Sequence, residues 1–384
     1  MPRITPRLLL TLCAAAALLG RGPIPATAFA AEVAPSAPPS FGIVAFDSLR
    51  QEWGIAAVSR WIAVGSRALD ARAGAGAWLA LELPDSRSGA KALERLARGA
   101  PARQALDSLL AGDARRGERQ VAIVDRVGKR AAFTGDRCPA WAGERIGKHH
   151  VCQGVALRDG VALAVMDRAF EAASGTLAER LLAAVEAAES VAPLREEFES
   201  AALLVVREGG GLNGWSDRLI DLRVDAAPDA VQGLKDLYAA HAATFLPAAY
   251  ARFGDEAKRR GDAISAEREY AIAEGAFRAA VARKPSDPEA LNELAWFLAT
   301  HDRSLEEAIH LAKTAVSLRP RDPILYDTLA EAEYRSGSLS RAIEAMERAV
   351  KQSGGAARYT DRLARWMRER SALEGKPAVK PASP

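Results

Sequence analysis

The chain has 384 residues, 52 of them basic and 49 acidic, for a formal net charge of +3. Arg3, Arg7 and Arg21 fall within the first thirty residues with no acid beside them, so the remainder balances at 49 against 49 and offers no electrostatic footprint for nucleic acid or an anionic membrane. Apolar residues make up 49% of the sequence, which excludes global disorder, and the length suits two ordinary domains.

Residues 1–30 have the anatomy of a secretory signal. Arg3 and Arg7 precede an apolar run at 8–19, and Ala28-Phe29-Ala30 supplies small residues for cleavage. The run is shorter than the roughly 20 residues that a spanning helix requires, so no stable membrane span is expected after cleavage. An exported protein, periplasmic or secreted, is the expectation. Residues 31–39 are small and Pro-rich and read as a flexible leader.

The pattern changes at Ser40. Ser40-Phe41-Gly42-Ile43-Val44-Ala45-Phe46-Asp47 and Trp53-Gly54-Ile55-Ala56-Ala57-Val58-Ser59-Arg60 are apolar runs on either side of a polar turn, a buried β-hairpin. A strand is expected at 77–81, then helices at 90–98 and 101–111, the second opened by Pro101. Residues 120–125 and 130–134 form a hairpin, 151–157 a weaker strand, and 161–188 two helices broken at Gly175. Residues 201–206 are the strongest strand and pair with 219–224 across a glycine-rich turn. Hairpins interleaved with helix pairs, without single-helix crossovers, indicate antiparallel sheets covered by helices.

Beyond Asp225 the chain turns helical. Leu234, Leu237, Tyr238, His241 and Phe245 mark an apolar helix face that closes the first domain. A repeat follows: Ala280, Ala315 and Ala349 recur at 35 and then 34 residues, and Ala273, Ala308 and Ala342 precede them by seven. This resembles the tetratricopeptide (TPR) repeat, whose period is about 34 residues and whose groove takes an extended peptide or a helix. Tyr359, Leu363, Trp366 and Met367 form one stripe on a capping helix. The expected boundaries are 1–30 signal, 31–39 leader, 40–237 first domain, 238–252 connecting helix, 253–354 repeats and 355–384 cap and tail. Deleting everything after Leu246 is expected to leave the first domain folded.

The segments SFGIVAFD, EWGIAAVSRWIAVGS, VAIVD, AAFTGDRC and SAALLVVREGGG resemble the uncharacterised family known as domain of unknown function 1028, which is grouped with the N-terminal-nucleophile (Ntn) hydrolases. The resemblance covers about 40–237. It implies an α+β fold, an αββα sandwich of antiparallel sheets, here followed by an all-α repeat domain. In Ntn hydrolases an N-terminal Ser attacks an amide carbonyl while its own α-amine serves as base. The resemblance places Ser40 at that position and Arg60 where the family has Lys; Asp47, in the same hairpin, either orients Arg60 or is a surface acid at a strand end. Arginine stays protonated, so it can hold an oxyanion or carboxylate but cannot replace a lysine base. Cleavage after Ala30 would leave nine residues, ending in Pro39, ahead of Ser40, so the mechanism needs a second processing step. The alternative is a Ser at a linker–strand boundary. Ala80-Leu81, Val155 and Glu144 also replace the family's Thr-Gln, Asn and His.

Two functional readings follow: an exported amide-bond hydrolase with a protein-interaction module, or a catalytically degenerate scaffold whose repeats recruit a peptide or protein. Asp217 and Arg218 match the family pattern and are binding candidates. The glycines at 209–211 form either a backbone nest for an anion or a wide hairpin turn. Cys138 and Cys152, the only cysteines after residue 30, are expected to pair as a disulfide. His149 and His150 beside them fit no zinc template, so neither metal nor cofactor is expected. A homo-oligomer is compatible with the family.

Overall fold

The computed structural model describes residues 38–194 and 198–375; the expected signal segment at 1–30, residues 31–37 of the expected leader and the tail after 375 lie outside the described residues. Strands β1 (Ser40–Asp47) and β2 (Glu52–Ser59) form the expected hairpin. A short helix, α1 (Val64–Arg67), leads into β3 (Leu69–Arg72) and β4 (Gly76–Glu82). Helices α2 (Ser86–Ala97) and α3 (Ala102–Leu110) precede β5 (Gln120–Asp125), β6 (Arg130–Thr134), β7 (Gly143–Ile146) and β8 (His150–Val155). Helices α4 (Val161–Ala172) and α5 (Leu177–Val191) then separate these from β9 (Glu199–Val206) and β10 (Arg218–Ala227).

Two antiparallel sheets result, one in the order β10-β9-β2-β1-β8-β7 and the other β3-β4-β5-β6. Successive side chains on a strand point to opposite faces, and β1 shows the consequence. Val44 and Phe46 enter the core between the sheets with Leu79, Val124 and Val155, whereas Phe41, Ile43 and Ala45 pack beneath α4 and α5 with Met166, Phe170 and Leu181. On the other side, Trp78, Val121 and Ile123 face Leu93, Leu96 and Leu106 of α2 and α3. The layers run helix, sheet, sheet, helix, as the resemblance implied. Gly54 is required where α5 approaches β2, because a Cβ there would lie 2.6 Å from a Leu181 methyl. Strands β3 and β7 escape the sequence reading because both are short and largely polar.

The rest of the chain is α6 (Ala230–Thr244), α7 (Leu246–Arg259), α8 (Ala263–Arg283), α9 (Pro288–Thr300), α10 (Leu305–Leu318), α11 (Pro323–Arg335), α12 (Leu339–Gln352) and α13 (Ala357–Leu373). Asp262, Asp287 and Asp322 cap α8, α9 and α11 by accepting a main-chain N–H, and Pro288 and Pro323 open their helices. The periodic Ala273, Ala308 and Ala342 are fully buried, as the close crossing of paired helices demands. Among the described residues no helix is long and apolar enough to cross a membrane.

The cluster beneath α4 and α5 does not stop at the end of the sandwich. It continues through Leu246, Tyr250 and Phe253 of α7 and Tyr270 and Phe277 of α8 to Phe297 of α9. A cut after Leu246 would strip Tyr250, Phe253 and the residues beyond them from this shared core.

Candidate functional site

Ser40 is 1% exposed. Its Oγ lies 2.7 Å from the Ser59 Oγ and donates to the Pro38 carbonyl at 3.1 Å. The Arg60 main-chain N–H donates to the Pro39 carbonyl at 3.2 Å. In the sheet Ser40 stands between Ser59 and Val155, and Val155 and Leu81 belong to the same apolar cluster. Two replacements noted in the sequence therefore lie in the apolar layer at this end of the sandwich.

Other polar groups gather at the same end without a sequence signal. Gln120 is fully buried and its amide donates to the Gly154 carbonyl at 2.8 Å and the Gly143 carbonyl at 3.1 Å, tying the two sheets together. Opposite Gln120, the Glu82 carboxyl is pushed up to about 7 by burial, with Glu118 adding to the effect. A lone Glu at a strand end carries no spacing that a sequence could betray.

Asp47 is elsewhere. It ends β1 at the turn, about 23 Å of strand from Ser40 at a rise of about 3.3 Å per residue. Its carboxylate accepts the main-chain N–H groups of Leu49 and Arg50 at 2.8 and 3.2 Å and the Arg50 Nη1 at 3.0 Å. The expectation that Asp47 orients Arg60 is thereby corrected: hairpin partners close in sequence number sit at opposite ends of the strands.

At the Asp47 end lies a buried ionic cluster. Arg207 Nη1 donates to Glu52 Oε1 at 3.3 Å, and both Arg207 terminal nitrogens donate to the Glu269 carboxylate at 3.1 Å. The guanidinium also lies 3.6 Å from the centre of the Phe253 ring. Glu52 and Glu269 are buried, and burial pushes the Glu52 carboxyl up to about 7. This cluster joins β2 to α8 through the residue that follows β9.

Asp217 and Arg218 hold local structure. Asp217 accepts the Gly209 N–H at 3.1 Å, and Arg218 pairs with Asp221 and approaches Asp70 at 3.7 Å. The glycine turn displays carbonyls to a cation: Arg252 of α7 donates to the carbonyls of Gly209 and Gly211 at 2.6 and 3.3 Å. That favours the wide turn over an anion nest.

Cys138 and Cys152 are both free, a correction of the expected disulfide. Cys152 points from β8 toward Met166 and Phe170, whereas Cys138 packs against the core between the sheets, so the six-stranded sheet stands between them. Burial pushes the Cys138 thiol up to about 11 and the Cys152 thiol well above its ordinary range, leaving both poor nucleophiles. Among the described residues no group of three or more His, Cys, Asp or Glu side chains is placed to hold a metal ion.

Residues 40–234, half of the chain, match the family of unknown function DUF1028. The chain belongs to that family. Behind the DUF1028 domain, residues 259–323 and 303–358 match the tetratricopeptide repeat. Protein SPO2555 from Silicibacter pomeroyi, a DUF1028 crystal structure, is 30% identical over 53% of this chain and 86% of its own, with a TM-score of 0.49. The Sgt2 TPR domain from Aspergillus fumigatus is 23% identical over 34% of this chain and 87% of its own, with a TM-score of 0.27. The first TPR domain of human RPAP3 is 15% identical over 34% and 98%, also with a TM-score of 0.27. No curated protein matches the chain.

In the repeats behind the DUF1028 domain, α9 and α11 are the first helices of successive repeats and pack side by side. First helices line the inner face of such a solenoid. Both leave a large apolar side chain uncovered, with Trp296 40% and Ile324 50% exposed. The Asn292 Oδ1, one turn before Trp296, is buried without a hydrogen-bond partner among the described residues. Arg335 pairs with Glu331 at 2.7 Å and Asp302 at 3.4 Å, and Arg362 with Asp327 at 2.6 Å, so charges border this strip.

Proposed function

We propose that this chain is an exported binding protein: the DUF1028 domain serves as a platform and the repeats hold an extended peptide segment of a partner protein. The uncovered Trp296 and Ile324 on neighbouring first helices carry this reading. An extended peptide needs apolar contacts for some side chains and polar partners for its main chain. Export rests on residues 1–30. The test is peptide selection against the purified protein, followed by Trp296→Ala and Ile324→Ala. Each substitution is expected to weaken the selected peptides about tenfold or more, as for apolar anchors in other interfaces. Unchanged affinity in both variants would remove the groove from the function.

One observation favours hydrolysis as a second reading. The Pro39 carbonyl already receives the Arg60 N–H, and Ser40 Oγ is held beside it by Ser59. Cleavage between Pro39 and Ser40 would release the Ser40 amine as a base. Intact-mass measurement of the mature protein separates the two readings. The binding role predicts residues retained ahead of Ser40; a chain beginning at Ser40, left uncut in Ser40→Ala, would transfer the conclusion to a hydrolase.

A further inference from the structure

A cavity of about 450 Å³ lies where the sandwich meets the helices, lined by the β1–β2 turn, the start of α5, and helices α6, α7 and α8. Its walls are mostly short and apolar, with Ala242 and Ala243 from α6 facing Ala276 and Ala279 from α8 around Leu246 and Ile272. Gly275 of α8 belongs to the same wall, and a Cβ built on it meets nothing within 4 Å. Glycine is a poor helix former, and here no close neighbour demands one. The space that its missing side chain leaves is part of the cavity.

The polar groups are few and mostly donors. Tyr250, whose hydroxyl is a donor, is 1% exposed and lines the cavity. Burial holds that hydroxyl in its protonated form. Arg50 lines the same space; its Nη1 serves Asp47 at 3.0 Å, and its buried Nε has no hydrogen-bond partner among the described residues. Arg283 is exposed and donates to the Ala239 carbonyl at 3.4 Å. The one acid in the lining, Glu179, is occupied by the Thr176 N–H at 2.7 Å and the Thr176 hydroxyl at 3.0 Å, and Tyr238 reaches the Thr176 hydroxyl at 3.4 Å. Asp47 and Glu52 also act on Arg50, so the pocket offers donors rather than an excess of positive charge; apolar walls with a few convergent donors suit an apolar body with a hydrogen-bond-accepting anionic head.

We propose that this junction cavity binds an aliphatic carboxylic acid, its chain against the alanine walls of α6 and α8 and its carboxylate on the Arg50 guanidinium and the Tyr250 hydroxyl.

The test is calorimetric titration of the full chain with sodium decanoate, with decylammonium and decanol as head-group controls. Saturable binding of one decanoate per chain is expected, with both controls about tenfold weaker or more. Tyr250→Phe removes only the donor and should weaken decanoate about fivefold. Gly275→Leu should abolish binding by filling the space; because the position is open and leucine favours a helix, its thermal melt should match that of the parent, and Ala276→Leu supplies a second filling variant. Absence of saturable binding, unchanged affinity in both filled variants, or decylammonium binding as tightly as decanoate would each overturn the assignment.

Discussion

Glu52 illustrates how a single residue acquires chemistry from its surroundings. Two buried carboxylates, Glu52 and Glu269, share the Arg207 guanidinium, and Glu52 Oε2 has no hydrogen-bond partner among the described residues. Charging both acids overdraws one cation, so burial raises the Glu52 carboxyl from its ordinary 4.5 to about 7. A raised carboxyl pKa means the folded state holds a proton that the unfolded chain has lost, so the stabilisation is complete below 4.5 and disappears as the pH rises through about 7. Glu52→Gln keeps the neutral form at every pH. Urea midpoints should coincide for parent and variant at low pH and diverge as pH rises, the variant becoming more stable by on the order of 2–3 kcal/mol. Glu82 titrates in the same window, so the difference between the two proteins is the quantity to follow. A difference independent of pH would refute this account. None of this was legible in the sequence, because the three partners come from β2, the residue after β9, and α8. Ser40 was legible by position but not in its company: the hydroxyl faces Ser59 and Val155, and Asp47 is a turn cap at the far end of its strand.

At the scale of elements, periodicity carried most of the sequence reading. The apolar runs of β1, β2, β5 and β9 announced buried strands, and the alanine recurrence announced helix pairs, because both patterns arise from local geometry. The same alternation decided the cysteines. Cys152 shares a face of β8 with His150, whose Nε2 lies 2.9 Å from the Asp167 Oδ1 beneath the helices, while Val151 and Val155 face the other sheet with Cys138. Proximity in sequence and the expectation of export made the disulfide reasonable, but the six-stranded sheet stands between the two cysteines. Close packing also shows where glycine is needed: a Cβ on Gly254 of α7 would lie 2.3 Å from the Tyr270 ring, so the first helix pair cannot close around a larger residue.

For the molecule as a whole, the decisive feature is one apolar cluster running from β1 to the repeats. Leu246, Tyr250 and Phe253 are at most 3% exposed, and each such side chain contributes about 1.5–3 kcal/mol on burial. Losing all three would remove on the order of 5 kcal/mol or more from a total stability that is typically about 5–15 kcal/mol. A chain ended after Thr244 should therefore lose its cooperative thermal transition; a cooperative melt close to that of the full protein would show that the sandwich stands alone after all. Family membership, the layered sandwich and the repeats could all be read from the sequence itself, since each rests on periodicity or motif within a continuous stretch of chain. Only the tertiary structure decided that the two parts share a core, that Glu52, Arg207 and Glu269 meet, that the cysteines do not, and that a cavity remains at the junction. Those facts depend on side chains far apart in the chain converging in space, and no local pattern encodes that convergence.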